Sequence, residues 1–255
     1  MSKMFILARI KIIFPLLILL PLQGSLSGCA SLSTSPDPLE PLNRRIFGFN
    51  QAVDEVILKP LAVTYQELTP EPVNQGITNF FSNLSELSVI ANDLLQFKLK
   101  QAASDSGRFV INTTLGLLGF LDLATHFGYP KNYEDFGQTL GYWGVGSGPY
   151  LVLPLLGPSS IRDTAGRGVD GFFDPRSYVA GNDDVVLRWH VITNGIYAVD
   201  QRASLLEIEK VMKTAALDPY TYMRDAYLQR REYLVKDGNV PTQEDEFDEL
   251  FSDLE

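Results

Sequence analysis

Residues 141–159, GYWGVGSGPYLVLPLLGPS, set the tightest limit on what this chain can fold into. Five glycines and three prolines interrupt an apolar run made by Leu151, Val152, Leu153, Leu155 and Leu156. Pro154 removes an amide hydrogen from the middle of that run, which confines any strand there to a sheet edge. A bilayer-crossing helix needs about 20 residues, so the run is also too short to span. A phosphate loop requires GxxxxGK followed by Ser or Thr, because backbone amides cradle the phosphate and the lysine neutralises it. Here Gly148 is followed by Pro149 and no lysine is near. A nucleophile elbow requires glycine two residues on either side of its serine, and Ser147 has Val145 and Pro149 in those places. Two readings are left. One is chain lying at an interface or lining a cavity, with Tyr142 and Trp143 suited to the headgroup level; the other is an irregular loop packed between helices.

The amino-terminal residues carry an export signal. Lys3, Arg9 and Lys11 accompany IIFPLLILLPL (12–22), an apolar core of 11 residues broken by Pro15 and Pro21. That is the length of a secretory signal rather than of a permanent span. LSGCA (26–30) follows and holds the one cysteine of the chain, Cys29, which has no partner for a disulfide. Its setting after Ser27 and Gly28 resembles the bacterial lipobox, where cleavage before the cysteine leaves a sulfur that carries a diacylglyceryl group and an amine that is N-acylated. A single acyl chain anchors only marginally, so the several chains of such a group make attachment stable. Ala30 stands where an Asp would resemble the inner-membrane retention signal, which points to the outer membrane. Residues 1–28 thus read as signal peptide and 29–36 as a lipidated tether. Loss of residues 1–28 takes the formal charge from −10 to −13. A balance this acidic argues against nucleic acid, whose phosphates need Lys and Arg stripes.

From Asp37 to Lys236 the reading is almost wholly helical. Leu42, Ile46, Phe49, Val53 and Val56 recur at helical spacing, with Asp37 and Glu40 as a capping pair, Pro38 in the first turn and Pro60 as the stop. Val73, Ile77, Phe80 and Leu84 make a second stripe. Leu87, Ile90, Ala91 and Leu94 make a third, with Ser85 placed to cap it. GLLGFLD (116–122) reads as a tight turn into a short helix, and Ser159 or Ser160 can cap IRDTAGRGVDGFF. Two longer helices are expected, from Asp183 to about Leu217, with Trp189, Ile192 and Ile196 on one face, and from Pro219 to about Lys236. Residues 237–255 hold eight carboxylates and read as an acidic, disordered tail or as a segment that docks a partner.

No catalytic constellation emerges. His126 and His190 are the only histidines and read as structural. Two separated histidines and a lipidated cysteine leave no zinc cluster, and no calcium loop is present, so neither metal nor soluble cofactor is expected. Glu134 and Asp135 point about 100° apart on a helix and read as solvated surface.

Four segments in order, DPLEPLNRRIFGFNQAVDEVILKPLAVTY, ITNFFSNLSE, RFVINTTLGLLGFLDLA and EDFGQTLGYWGVGSGPYLVLPLLGPSSIRD with the following FFDP, resemble the MlaA/VacJ outer-membrane lipoproteins over Asp37 to about Pro175. The resemblance implies an all-α, ring-shaped lipoprotein embedded in one membrane leaflet with an amphipathic central channel. It implies phospholipid as cargo, the outer membrane as setting, trimeric porins as neighbours and a soluble periplasmic lipid carrier as recipient. It implies no enzymatic step. For the channel wall Tyr142, Gly144, Gly146, Gly148 and Pro149 are the candidates, with helix packing or a tight turn as their competing role. Asn79, Phe80 and Phe81 are candidates for controlling opening or touching lipid, against core packing. Arg162 either meets phosphate at a helix start or pairs with Asp163 or Asp122.

Overall fold

A computed structural model of the chain describes residues 37–178 and 184–240. The leader, Cys29 with its tether, and the tail from 241 lie outside the described residues. Residues 1–38 separate from Leu39–Glu255 as units, and of the first only Asp37 and Pro38 are described.

The second unit is helical. Helix α1 (Glu40–Val53) starts with Leu39 as its N-cap, with no side-chain cap and with Pro41 in its first turn. Asp37 and Glu40 are therefore not a capping pair, and Glu40 instead holds Arg44 at 2.7 Å. Pro60 does not stop the helix. A proline ring collides with the carbonyl four residues back, and the chain avoids this with a π-helical turn, Asp54–Leu58, in which Lys59 N donates to Asp54 O. Helix α2 (Lys59–Leu68) continues from it with Pro60 in its first turn. Helix α3 (Glu71–Leu95) is a single element rather than two. Ser85 donates to the Phe81 carbonyl at 3.1 Å in mid-helix instead of capping.

Helix α4 (Leu99–Thr114) packs back on α3. The turn 115–121 leads into the short α5 (Leu123–His126), capped by Asp122. Helix α6 (Phe136–Tyr142) is capped by Asp135. An antiparallel hairpin follows, β1 (Tyr150–Leu153) and β2 (Gly157–Ser160), with Tyr150 opposite Ser160 and Leu153 opposite Gly157. Pro154 sits in the turn, where its missing amide costs nothing; this pair of strands departs from a purely helical expectation. Ser160, not Ser159, caps α7 (Ile161–Phe173) through Asp163 N at 3.1 Å. A 3-10 turn (Pro175–Tyr178), α8 (Asp184–Ser204), α9 (Leu206–Ala215) and α10 (Pro219–Val235) complete the unit. The long helix expected to Leu217 thus breaks at Leu205.

The burial pattern is inverted relative to a soluble bundle. Among the described residues, ten hydrophobic residues are buried against eighteen polar or charged ones. Small apolar knots do exist: Ala62, Ala203 and Leu206 join α2, α8 and α9, and Tyr150, Val152 and Tyr220 join β1 to α10. Most buried positions are instead occupied by groups such as Asn83, Glu86, Asn92, Asp105 and Arg108. Much of the apolar surface faces outward, although Ile46 of the first stripe packs on the Tyr150 cluster. Leu42, Phe49 and Val56 are all more than half exposed, while the opposite face of α1 carries Asn43, whose amide bridges the Tyr150 carbonyl (3.0 Å) and Val152 N (2.9 Å) like an extra strand. Trp189, Ile192 and Ile196 of α8 are likewise exposed, as are Leu115, Leu117, Leu118 and Leu121 in the turn after α4. No helix among the described residues is long and apolar enough to cross a membrane.

Close helix contacts frame the centre. A Cβ on Gly166 of α7 would lie 2.4 Å from Gly137 N of α6, so these helices meet backbone to backbone and only glycine fits between them.

Candidate functional site: a polar cavity enclosed by helices

Helices α3, α6, α7, α8 and α10, with the loop 131–135, surround a cavity of about 910 Å³. Helix α3 turns one face to it, with Thr78, Ser82, Ser85 and Ser88 at steps of three and four and Phe81 and Val89 beside them. The wall therefore alternates hydroxyl and apolar groups along a single helix. Across from it, α8 contributes Tyr197, Gln201 and Ser204, and α7 contributes Arg167, Asp170 and Gly171.

The charged groups are fixed by partners. Arg231 of α10 forks onto Asp135 at 2.5 and 2.9 Å and reaches Asp163 at 2.9 Å; Tyr227 donates to Asp163 at 2.6 Å. Lys131 holds the buried Glu86 at 2.8 Å. Arg176 pairs with Asp174 and stacks 4.1 Å over the Tyr197 ring. Asp170 accepts from Phe136 N, Asn92 and Ser88. Two cavity cations lack a carboxylate among the described residues, Arg167 and Arg230; Arg167 donates instead to the carbonyls of Leu156 (3.3 Å) and Pro158 (3.0 Å).

Burial raises the Asp135 and Asp163 carboxyls, but hydrogen bonds and charge outweigh it. Arg231 at Asp135, and Tyr227 with Arg231 at Asp163, hold both below the usual carboxylate range. A depressed folded pKa stabilises the fold above the unfolded value, about 4, and that contribution is lost as pH falls through the folded value. Arg231→Met should therefore lower stability at pH 7 and also flatten its fall between about pH 5 and 3, measured by urea unfolding in detergent across that range. An equally steep fall in the variant would contradict the assignment. For Asp170 burial prevails over its hydrogen bonds, and its carboxyl is pushed up.

The residues singled out from sequence divide. Phe81 is 4 % exposed and lines the cavity. Phe80 packs on Phe81 and Phe120 at ring distances of 5.5 and 6.0 Å, and Asn79 donates to the Phe120 carbonyl at 3.2 Å; both thus join α3 to the apolar turn. Tyr142, Gly144, Gly146, Gly148 and Pro149 are not among the residues lining this cavity. Gly144 and Gly146 have open space around them, and Gly148 adopts φ +67° against Ile161; Pro149 accepts from Ile161 N at 3.3 Å. Tyr142 is half exposed beside Trp143, whose indole donates to the Leu95 carbonyl at 3.2 Å. Arg162 is buried and pairs with Asp163 at 3.0 Å, while Asp122 pairs with Arg108. His126 is exposed, with Nδ1 3.0 Å from the Asp122 carbonyl.

Glu134 corrects the expectation of solvated surface, whereas Asp135 stays partly exposed at the cavity. Glu134 is 8 % exposed and receives Gln96 and Lys98 at 2.8 Å each. The hydroxyl stripe of α3 and the cavity arginines carry no apolar periodicity, so the helical stripes do not point to them. The repeat of Thr or Ser at 78, 82, 85 and 88 was the available signal.

A family model described as MlaA lipoprotein matches residues 35–234. The intermembrane phospholipid transport system lipoprotein MlaA of Escherichia coli (strain K12) is 36% identical over 228 residues, covering 86% of this chain and 88% of the relative. The MlaA lipoprotein of Haemophilus influenzae is 33% identical over 227 residues, covering 85% and 88%. A solved structure described as the structural basis for maintenance of bacterial outer membrane lipid asymmetry superposes with a TM-score of 0.67 at 33% identity, covering 78% of this chain and 98% of that one. With the matched model spanning most of its length, this chain belongs to the MlaA lipoprotein family.

Proposed function

We propose that this chain is an outer-membrane lipoprotein, anchored through Cys29 and embedded in the periplasmic leaflet, that takes phospholipids out of the outer leaflet through its central cavity. It hands them to a soluble periplasmic carrier, beside trimeric porins, and so maintains lipid asymmetry. What carries this reading is one observation: a charge-bearing, partly open cavity lined by helices, one of which, α8, turns its apolar residues Trp189, Ile192 and Ile196 outward. Helices satisfy their own backbone groups and can face lipid outside while holding water inside. A phospholipid headgroup is charged, and moving it through hydrocarbon costs several kcal/mol per ion even after relaxation. The cavity lets the head keep polar contacts while the tails follow apolar surface. No bond is made or broken, and direction comes from removal of lipid by the carrier.

The experiment has two arms. The chain extracted from membranes should carry intact phospholipid. Bacteria lacking the chain should expose phospholipid to an impermeant amine-reactive label on intact cells, and lose that exposure when it is restored. Released fatty acid or free headgroup in the first arm would point to a hydrolase. Unchanged labelling with defective porin assembly would point to a structural lipoprotein.

A further inference from the structure

We propose that Arg167 and the tip of the β1–β2 hairpin form a subsite for one glycerophospholipid, with the phosphodiester on the Arg167 guanidinium and an acyl chain across Leu155 and Leu156. This rests on the reading of the cavity as a lipid path and names the residues that meet the lipid at its edge.

Arg167 differs from the other cavity cations in being fixed without being neutralised. Lys131, Arg176 and Arg231 each face a carboxylate. Arg230 has neither a carboxylate nor a hydrogen-bond partner among the described residues. Arg167 spends one N–H on the Leu156 carbonyl and one on the Pro158 carbonyl. A guanidinium has five donors in a rigid fork, so three remain, and neutral acceptors leave the full positive charge in place. Such a group suits the paired oxygens of a phosphodiester, which arginine binds through two parallel hydrogen bonds.

The same residue whose carbonyl orients Arg167 turns its side chain outward. Leu156 is 66% and Leu155 63% exposed. Leu155 has φ +62°, a conformation uncommon outside glycine. It is held by Asn50 of α1, whose Oδ1 accepts from Leu155 N at 2.8 Å and whose Nδ2 donates to the Leu153 carbonyl at 2.9 Å. A pinned apolar tip and an uncompensated cation therefore meet at one residue, and Arg167 in turn lines the cavity. That juxtaposition matches the junction of a phospholipid, where charge and hydrocarbon adjoin. A free phosphate would use the arginine and have no use for the leucines.

The test uses full-length protein in non-ionic detergent with phosphatidylglycerol and with diacylglycerol of the same acyl chains as competing probes. Wild type should prefer the phosphate-bearing lipid. Arg167→Gln should shrink that preference about tenfold, the size of one lost charge-assisted hydrogen bond, Arg167→Glu should erase it, and Arg167→Lys should fall between. Leu155→Asn with Leu156→Asn should weaken both lipids alike. A preference is a ratio measured in one sample, so a reduced folded fraction does not change it. An undiminished preference in Arg167→Gln would overturn the subsite while leaving the channel reading standing. So would full competition by inorganic phosphate together with unchanged binding after the leucine substitutions. Wild type that binds neither lipid would instead overturn the channel reading itself.

Discussion

Arg108→Met should destabilise the fold by about 3–5 kcal/mol, the cost typical of leaving one member of a buried ion pair alone. Arg108 is 3% exposed on α4 and engages all three guanidinium nitrogens. Nε meets Glu86 of α3 at 3.0 Å, Nη1 meets the Thr125 hydroxyl (2.7 Å) and the Tyr129 carbonyl (2.8 Å), and Nη2 meets Asp122 at 2.6 Å. Three helices and the chain beyond them thus converge on one side chain, and Asn112 adds a bond to Asp122 at 3.0 Å. Burial already pushes the Glu86 carboxyl up, with Lys131 and Arg108 opposing it; without Arg108, Lys131 alone would hold that charge. Urea unfolding in detergent measures the change. Lys210→Met, at an exposed pair with Glu207, should leave the midpoint where it is. Equal midpoints for all three proteins would mean that the polar interior is not what holds these helices together.

Ser85→Trp should impair lipid delivery strongly without that loss of stability. Ser85 lies on the α3 face that lines the cavity, and an indole there would fill space that the headgroup needs. Lipid delivery to a carrier should slow at least about tenfold, equivalent to roughly 1.4 kcal/mol of added barrier. Ile192→Trp, at an exposed apolar position of α8, should transfer lipid at the wild-type rate. A Ser85→Trp protein that transfers normally would remove the cavity from the path.

Most helices were legible in the chain, and their orientation was not. The stripes at Leu42, Ile46 and Phe49 and at Trp189, Ile192 and Ile196 identified helices correctly, because side-chain periodicity is set by the backbone whatever the surroundings. Which face turns inward depends on the medium outside. In a soluble bundle Leu42 and Trp189 would be core, whereas in this chain they are exposed and the interior holds Asn43, Glu86 and Arg108. Pro60 misled because the rule that proline ends a helix assumes four-residue hydrogen bonding, and a π turn relaxes it. The hairpin at 150–160 was hidden by Pro154, which reads as a strand breaker until it is seen to occupy the turn. Of the residues lining the cavity, Phe81 is one that the sequence offered as a candidate for touching lipid or for core packing, while Lys131, Arg167, Arg176 and Arg231 come from four separate segments, which no local pattern could assemble.

The most direct measurement places a photo-crosslinking residue at Ser85 inside the cavity and, in a second strain, at Lys210 on the exposed side of α9, in cells whose phospholipids carry radioactive phosphate. The account predicts a labelled adduct at position 85 on irradiation and none at 210. Label at 210 with none at 85 would mean that phospholipid passes outside the cavity, and would contradict it.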